Sequence, residues 1–104
     1  MRAFVVFTTV PDLKSARLIA GLLVKRRLAA CVSFQKGLES VYRWKGKAEN
    51  AKEILLMIKT EESRFKPVER VIKSKHPYEL PEIIGLRVAR GSKEYLSWLN
   101  HSLN

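Results

Sequence analysis

The stretch Lys52-Glu53-Ile54-Leu55-Leu56-Met57-Ile58-Lys59-Thr60 constrains this chain more than any other part of it. It reads as a β-strand, whose side chains alternate between two faces. Ile54, Leu56 and Ile58 therefore point one way, while Leu55 and Met57 point the other. A strand that is apolar on both sides must be covered on both sides. The chain has 104 residues, enough for a single domain over residues 1–104 and not for a second core. Two helices can cover one face of its sheet, and a short final helix is the only element left for the other. The sequence thus predicts a large apolar patch, which marks an interface.

The elements follow from local pattern. Residues 3–9 are an apolar, β-branched run that reads as a strand. Asp12 then caps a helix over Leu13–Arg27, with Lys14, Arg17, Gly21 and Lys25 on its solvent stripe. Leu13, Ala16, Ile19, Ala20, Leu23 and Val24 are expected to face the sheet. Residues 31–45 read as extended with a bulge near Lys36-Gly37; beyond it Leu38, Ser40, Tyr42 and Trp44 share one face. Lys45-Gly46-Lys47 and Glu49-Asn50 supply a turn into residues 52–60, so 38–60 reads as a long hairpin. Ser63 is expected to cap a second helix ending near Lys75, with Phe65, Val68, Val71 and Ile72 inward. Pro77 and Pro81 bracket an irregular segment. Ile83–Val88 reads as a fourth strand, and Ser92 opens a short helix carrying Tyr95, Leu96, Trp98 and Leu99. The order β-α-β-β-α-β-α predicts an α+β, ferredoxin-like sandwich with a short C-terminal helix.

Charge and cysteine content narrow the function classes. Twenty Lys and Arg against ten Asp and Glu give a formal charge of +10, which admits an anionic partner. The basic positions are dispersed, as on an ordinary solvated surface. An RNA-recognition module of similar architecture needs stacking aromatics on its central strands, and Ile-Leu-Leu-Met-Ile offers none, so nucleic acid is not the expected partner. No stretch approaches the ~20 apolar residues of a membrane span, and no membrane partner is expected. Cys31 is the only cysteine, so a reducing, cytoplasmic setting fits.

Several segments stand in a familiar order: Thr9-Val10-Pro11-Asp12, Leu28-Ala29-Ala30-Cys31-Val32, Tyr42-Arg43-Trp44-Lys45-Gly46-Lys47, Glu53 through Lys59-Thr60, His76-Pro77-Tyr78-Glu79-Leu80-Pro81-Glu82 and Tyr95-Leu96-Ser97-Trp98-Leu99. Together they cover essentially the whole chain, and the set resembles the CutA family of divalent-cation tolerance proteins. The resemblance implies a ferredoxin-like homotrimer with long hairpins crossing between subunits, linked to tolerance of divalent cations, copper above all. It brings no catalytic reaction and no required cofactor. The trimer would bury Tyr42, Trp44, Leu55 and Met57. The copper site credited to some bacterial members falls on Thr8, Lys75 and His76 of this chain, so only His76 carries over as a metal ligand. Weakly bound Cu²⁺ or another divalent cation is therefore the expectation. The alternative is a trimeric small-anion sensor that uses intersubunit clefts.

The remaining chemistry is sparse. Copper and zinc sites use three or four imidazole or thiolate ligands, and no His-x-x-x-His, Met-rich tract or Cys pair gathers them here. His76 closes the second helix, which suits either a ligand contact at a cleft edge or a C-terminal cap. Cys31 after Ala-Ala reads as a small buried hydrophobe. An acid-base set of Glu82, Lys59, Tyr78 and His76 has no nucleophile with an adjacent base, and no enzyme is expected.

Overall fold

The strand read first from sequence sits inside a four-stranded sheet. The computed structural model describes all residues Met1–Asn104. Strands β1 (Ala3–Val10), β2 (Cys31–Trp44), β3 (Lys47–Glu61) and β4 (Ile84–Arg87) lie in the order β2-β3-β1-β4, with every neighbouring pair antiparallel. Helices α1 (Leu13–Lys25) and α2 (Phe65–Lys75) connect β1 to β2 and β3 to β4, and α3 (Lys93–Leu103) follows the last strand. This is the β-α-β-β-α-β arrangement anticipated, with its appended helix.

Register explains which face is closed. Val6, Thr8 and Val10 stand opposite Ile58, Leu56 and Ile54. All six are buried, and the apolar ones join Ala16, Ile19 and Leu23 of α1 and Val68, Val71 and Ile72 of α2 in one core. The inward set of α2 is the one expected. On α1 the expected set is not quite right, because Val24 is exposed and Leu22 packs against the core instead.

The opposite face holds Val5, Phe7, Leu55 and Met57, all half-buried. Helix α3 packs against β3 and buries Leu99 and Leu103 apart from the main core. It does not close this face, and Ile84 and Leu86 of the edge strand stay exposed beside it.

Local chemistry sets the element ends. Asp12 accepts a hydrogen bond from the Ser15 N–H at 2.8 Å, and Ser92 accepts from the Tyr95 N–H at 3.2 Å; both are the expected caps. Ser63 is not a cap. A 3₁₀ turn over Glu62–Arg64 precedes α2, and the Ser63 hydroxyl donates instead to Glu61. The bulge falls between Gln35 and Leu38, where Gly37 has φ +84°. The hairpin turn is only Lys45-Gly46, with φ +50° and +81°, a type I′ geometry that matches strand twist. Glu49 and Asn50, expected in the turn, continue β3 and pair with Tyr42 and Val41. The hairpin therefore starts its return sooner and runs as an arm, giving the molecule its 44 × 25 × 23 Å shape. The fourth strand is shorter than expected, ending at Arg87 rather than Val88.

Candidate functional site

At the end of α2 the chain must leave the helix in an extended conformation, because a residue before proline disfavours helical backbone. His76 does this at φ −77°, ψ 135°, while its N–H donates to the Ile72 carbonyl at 2.8 Å. His76 thus holds the C-cap position through its backbone, while its ring bonds no carbonyl of α2. Its ring is engaged at both nitrogens. Nε2–H donates to the Thr9 carbonyl at 2.7 Å, and Nδ1 accepts from the Tyr78 N–H at 3.1 Å. A carbonyl only accepts and an amide N–H only donates, so these partners set the tautomer. The imidazole is a strut that fixes the 76–83 segment to the end of β1.

Tyr78 extends the strut. Its ring lies 4.8 Å from that of His76, and its hydroxyl donates to Glu53 Oε2 at 2.8 Å. Burial, then the bond to Glu53, push the phenol well above its ordinary range, so it remains a donor. Thr9, His76, Tyr78 and Glu53 form one chain of contacts from β1 through the loop to β3.

The loop and the hairpin arm enclose an open cleft of about 750 Å³. Tyr42 and Trp44 form one wall, the Pro77–Glu82 segment the other, and Thr9 and Glu53 the floor. Three carboxylates line it, Glu53, Glu79 and Glu82, against the single cation Arg43. Glu53 and Thr9 are each only 7% exposed. Partial burial and the neighbouring Glu53 raise Glu82 above the usual carboxylate range.

The residues singled out from sequence fall in different places. Leu55 and Met57 lie on the open sheet face, and Tyr42 and Trp44 stand on the arm with Tyr42 44% exposed. Of the acid-base set, Tyr78 and Glu82 share the cleft and His76 braces it. Lys59 lies elsewhere on the sheet, where its ammonium donates to the Ser33 hydroxyl at 3.4 Å. No three His, Cys, Asp or Glu side chains come together at metal-binding spacing. Thr8 is buried in the core and Lys75 is exposed. Cys31, expected to be buried, is half-buried at the start of edge strand β2, its sulfur 3.7 Å from the Ser33 hydroxyl.

Sequence reasoning missed Glu53 and the unused Thr9 hydroxyl. A signal existed. Glu53 interrupts the Leu55–Met57 side of the strand, and a carboxylate on an apolar stripe needs a partner.

A ferredoxin-like sandwich with a long hairpin arm, an open apolar face and an acidic, aromatic cleft defines a small α+β protein. Residues 4–102 match the family described as CutA1 divalent ion tolerance protein, and the chain belongs to that family. A divalent-cation tolerance protein CutA of Thermus thermophilus is 46% identical over 98 residues, covering 94% of this chain and 95% of that protein. Protein CutA, chloroplastic, of Arabidopsis thaliana is 41% identical over 100 residues, and the chain spans 55% of its length. The crystal structure of CutA from Xylella fastidiosa superposes with a TM-score of 0.94 at 43% identity, covering 98% of both chains.

Proposed function

We propose that this divalent-cation tolerance protein acts as a non-enzymatic, cytoplasmic homotrimer that binds divalent cations weakly at most. One observation carries the assembly: the second sheet face, with Val5, Phe7, Leu55 and Met57 half-buried and Ile84 and Leu86 exposed, has no cover within the protomer. A protruding arm bearing Tyr42 and Trp44, with an unpaired β2 edge beside it, is suited to extend a neighbour's sheet. Sedimentation equilibrium at micromolar concentration should give about three times the 12.0 kDa chain mass; a well-behaved monomer overturns this reading.

Weak metal binding follows from His76. Its Nδ1 lone pair is used by the Tyr78 N–H, so Cu²⁺ must displace a hydrogen bond to reach it. Affinity no tighter than roughly micromolar, about 8 kcal/mol, is expected. Calorimetric titration of wild type and His76→Ala tests this, and nanomolar Cu²⁺ binding that survives the substitution places the site elsewhere. The small-anion alternative is the weaker one, because the cleft presents three carboxylates.

A further inference from the structure

Basic residues dispersed along the sequence are gathered by the fold onto one layer. Helix α1 and the turn after it carry Lys14, Arg17, Lys25, Arg26 and Arg27, all exposed. Helix α2 carries Lys66, Arg70, Lys73 and Lys75, exposed as well. Over residues 12–27 and 65–75 the only acids are the capping Asp12 and Glu69. Lys66 and Lys73 share Glu69 at 3.6 and 3.3 Å, and the other seven cations make no ion pair. Helix α1 returns between strands of one direction and α2 between strands of the other, so the helices run antiparallel. Arg64 Nη1, just ahead of α2, accordingly donates to the Arg27 carbonyl past the end of α1 at 3.0 Å. Lys25, Arg26 and Arg27 therefore lie towards Lys66, and Lys14 towards Lys73 and Lys75, in a positive band about 20 Å long. Gly21 adds a second feature. It is exposed in α1, one turn from Arg17 and from Lys25, and a Cβ there would meet no atom within 4 Å. A glycine inside a helix weakens it, and nothing in the chain packs where its side chain would stand. The bare backbone leaves a shallow gap between basic turns, where another chain's backbone can come close.

We propose that this helical layer docks on the sugar-phosphate backbone of duplex DNA without reading its sequence. Packed helices stand about 8–10 Å apart, so their two basic rows can straddle a B-form minor groove about 6 Å across and each meet one row of phosphates. A-form RNA opens that groove wider than the two rows reach. Arg17 and Arg70 offer planar forks that match phosphate oxygens. Both helices lie flat on the sheet, so neither enters a groove and no base edge is read. Single strands need stacking rings, and neither α1 nor α2 exposes an aromatic side chain. A lipid surface calls for inserted bulky groups, and these helices expose only Leu18 and Val24. The layer stays free whether or not the trimer forms, because it lies across the sheet from the open face.

The probe is a fluorescently labelled two-turn DNA duplex of mixed sequence, titrated with the full chain and followed by anisotropy. Saturable binding is expected at about 50 mM salt, weakening roughly a hundredfold by about 200 mM as some four phosphate contacts are lost. Arg17→Gln with Arg70→Gln should weaken it at least tenfold. Arg90→Gln with Lys93→Gln removes the same charge at the start of α3 and should change it less than twofold. Gly21→Gln should raise the melting temperature yet weaken binding several-fold, because it fills the gap without altering charge. Equal effects of the two charge-matched pairs would show that net charge alone attracts the DNA, and they overturn the proposal. So does absence of binding up to about 100 μM at the lower salt. Tighter binding to a single strand or an RNA duplex of the same length, or to phosphatidylserine vesicles, overturns it too.

Discussion

The Tyr78 hydroxyl donates to Glu53 Oε2 at 2.8 Å, joining a loop residue to a strand residue 25 positions earlier. Glu53 is almost wholly buried, and Tyr78 is the one hydrogen-bond partner of its carboxylate in the chain. A buried carboxylate stripped of its donor bears the full desolvation cost. The loop that shapes the cleft is therefore held at two points, Tyr78 to Glu53 and His76 to Thr9.

Tyr78→Phe should destabilise the protein by about 1–3 kcal/mol, as expected when a buried charged acceptor loses its donor. Glu53→Gln keeps an acceptor for the phenol and should cost less. Urea unfolding of both single variants and the double variant gives the coupling, and full additivity would show that the contact contributes nothing.

Acid and base should act oppositely on two sets of carboxylates. Hydrogen bonding to Arg87 holds Glu62 below its ordinary range, and bonds to Ser63 and Arg64 hold Glu61 down despite partial burial. A depressed folded-state value means stability that is present above the unfolded value near pH 4.5 and lost as pH falls through the folded one. Glu82 is raised, so its ionisation disfavours the fold, and its contribution is lost as pH rises from the ordinary carboxylate range. Glu82→Gln should accordingly be more stable than wild type at pH 7 and indistinguishable at pH 3.5. Thermal melts across that range read the difference.

Two buried threonines should respond with opposite sign to the same change. Thr8 is fully buried and its hydroxyl has no partner, so Thr8→Val should stabilise by about 1 kcal/mol. Thr60 is equally buried, but its hydroxyl donates to the Leu28 carbonyl at 2.6 Å. Thr60→Val orphans that carbonyl and should destabilise by about 1–2 kcal/mol. Equal effects in denaturant titrations would contradict the assignment.

Gly85→Ala should loosen the β4 edge. A Cβ there would lie 2.2 Å from the Phe4 ring, which itself packs edge-on to Phe65 at 5.9 Å. The ring cannot yield without disturbing that pair, and an overpacked site costs typically 1–3 kcal/mol. Hydrogen exchange should rise along Ile84–Arg87 and at their β1 partners, and unchanged protection there would show that Phe4 has room to move.

Much of this architecture was legible in the residues. Period-2 alternation placed Ile54, Leu56 and Ile58 on one side and Leu55 and Met57 on the other, and the register bears this out. Asp12 and Ser92 act as caps because a side-chain oxygen next to free helix N–H groups needs only local geometry. Gly37 and Gly46 mark the bulge and the turn because both adopt positive φ. What local chemistry could not settle were choices among competing partners. Ser63 had Glu61 in reach and gave up capping; Val24 is apolar but exposed, and Leu22 packs against the core in its place. The cleft belongs wholly to tertiary structure. Thr9, Glu53 and Tyr78 lie far apart in sequence, and nothing in their spacing foretells that sheet register and a histidine strut bring them together. Sequence determines periodicity, caps and turns because those act over a few residues; the site depends on contacts that exist only once the sheet has closed.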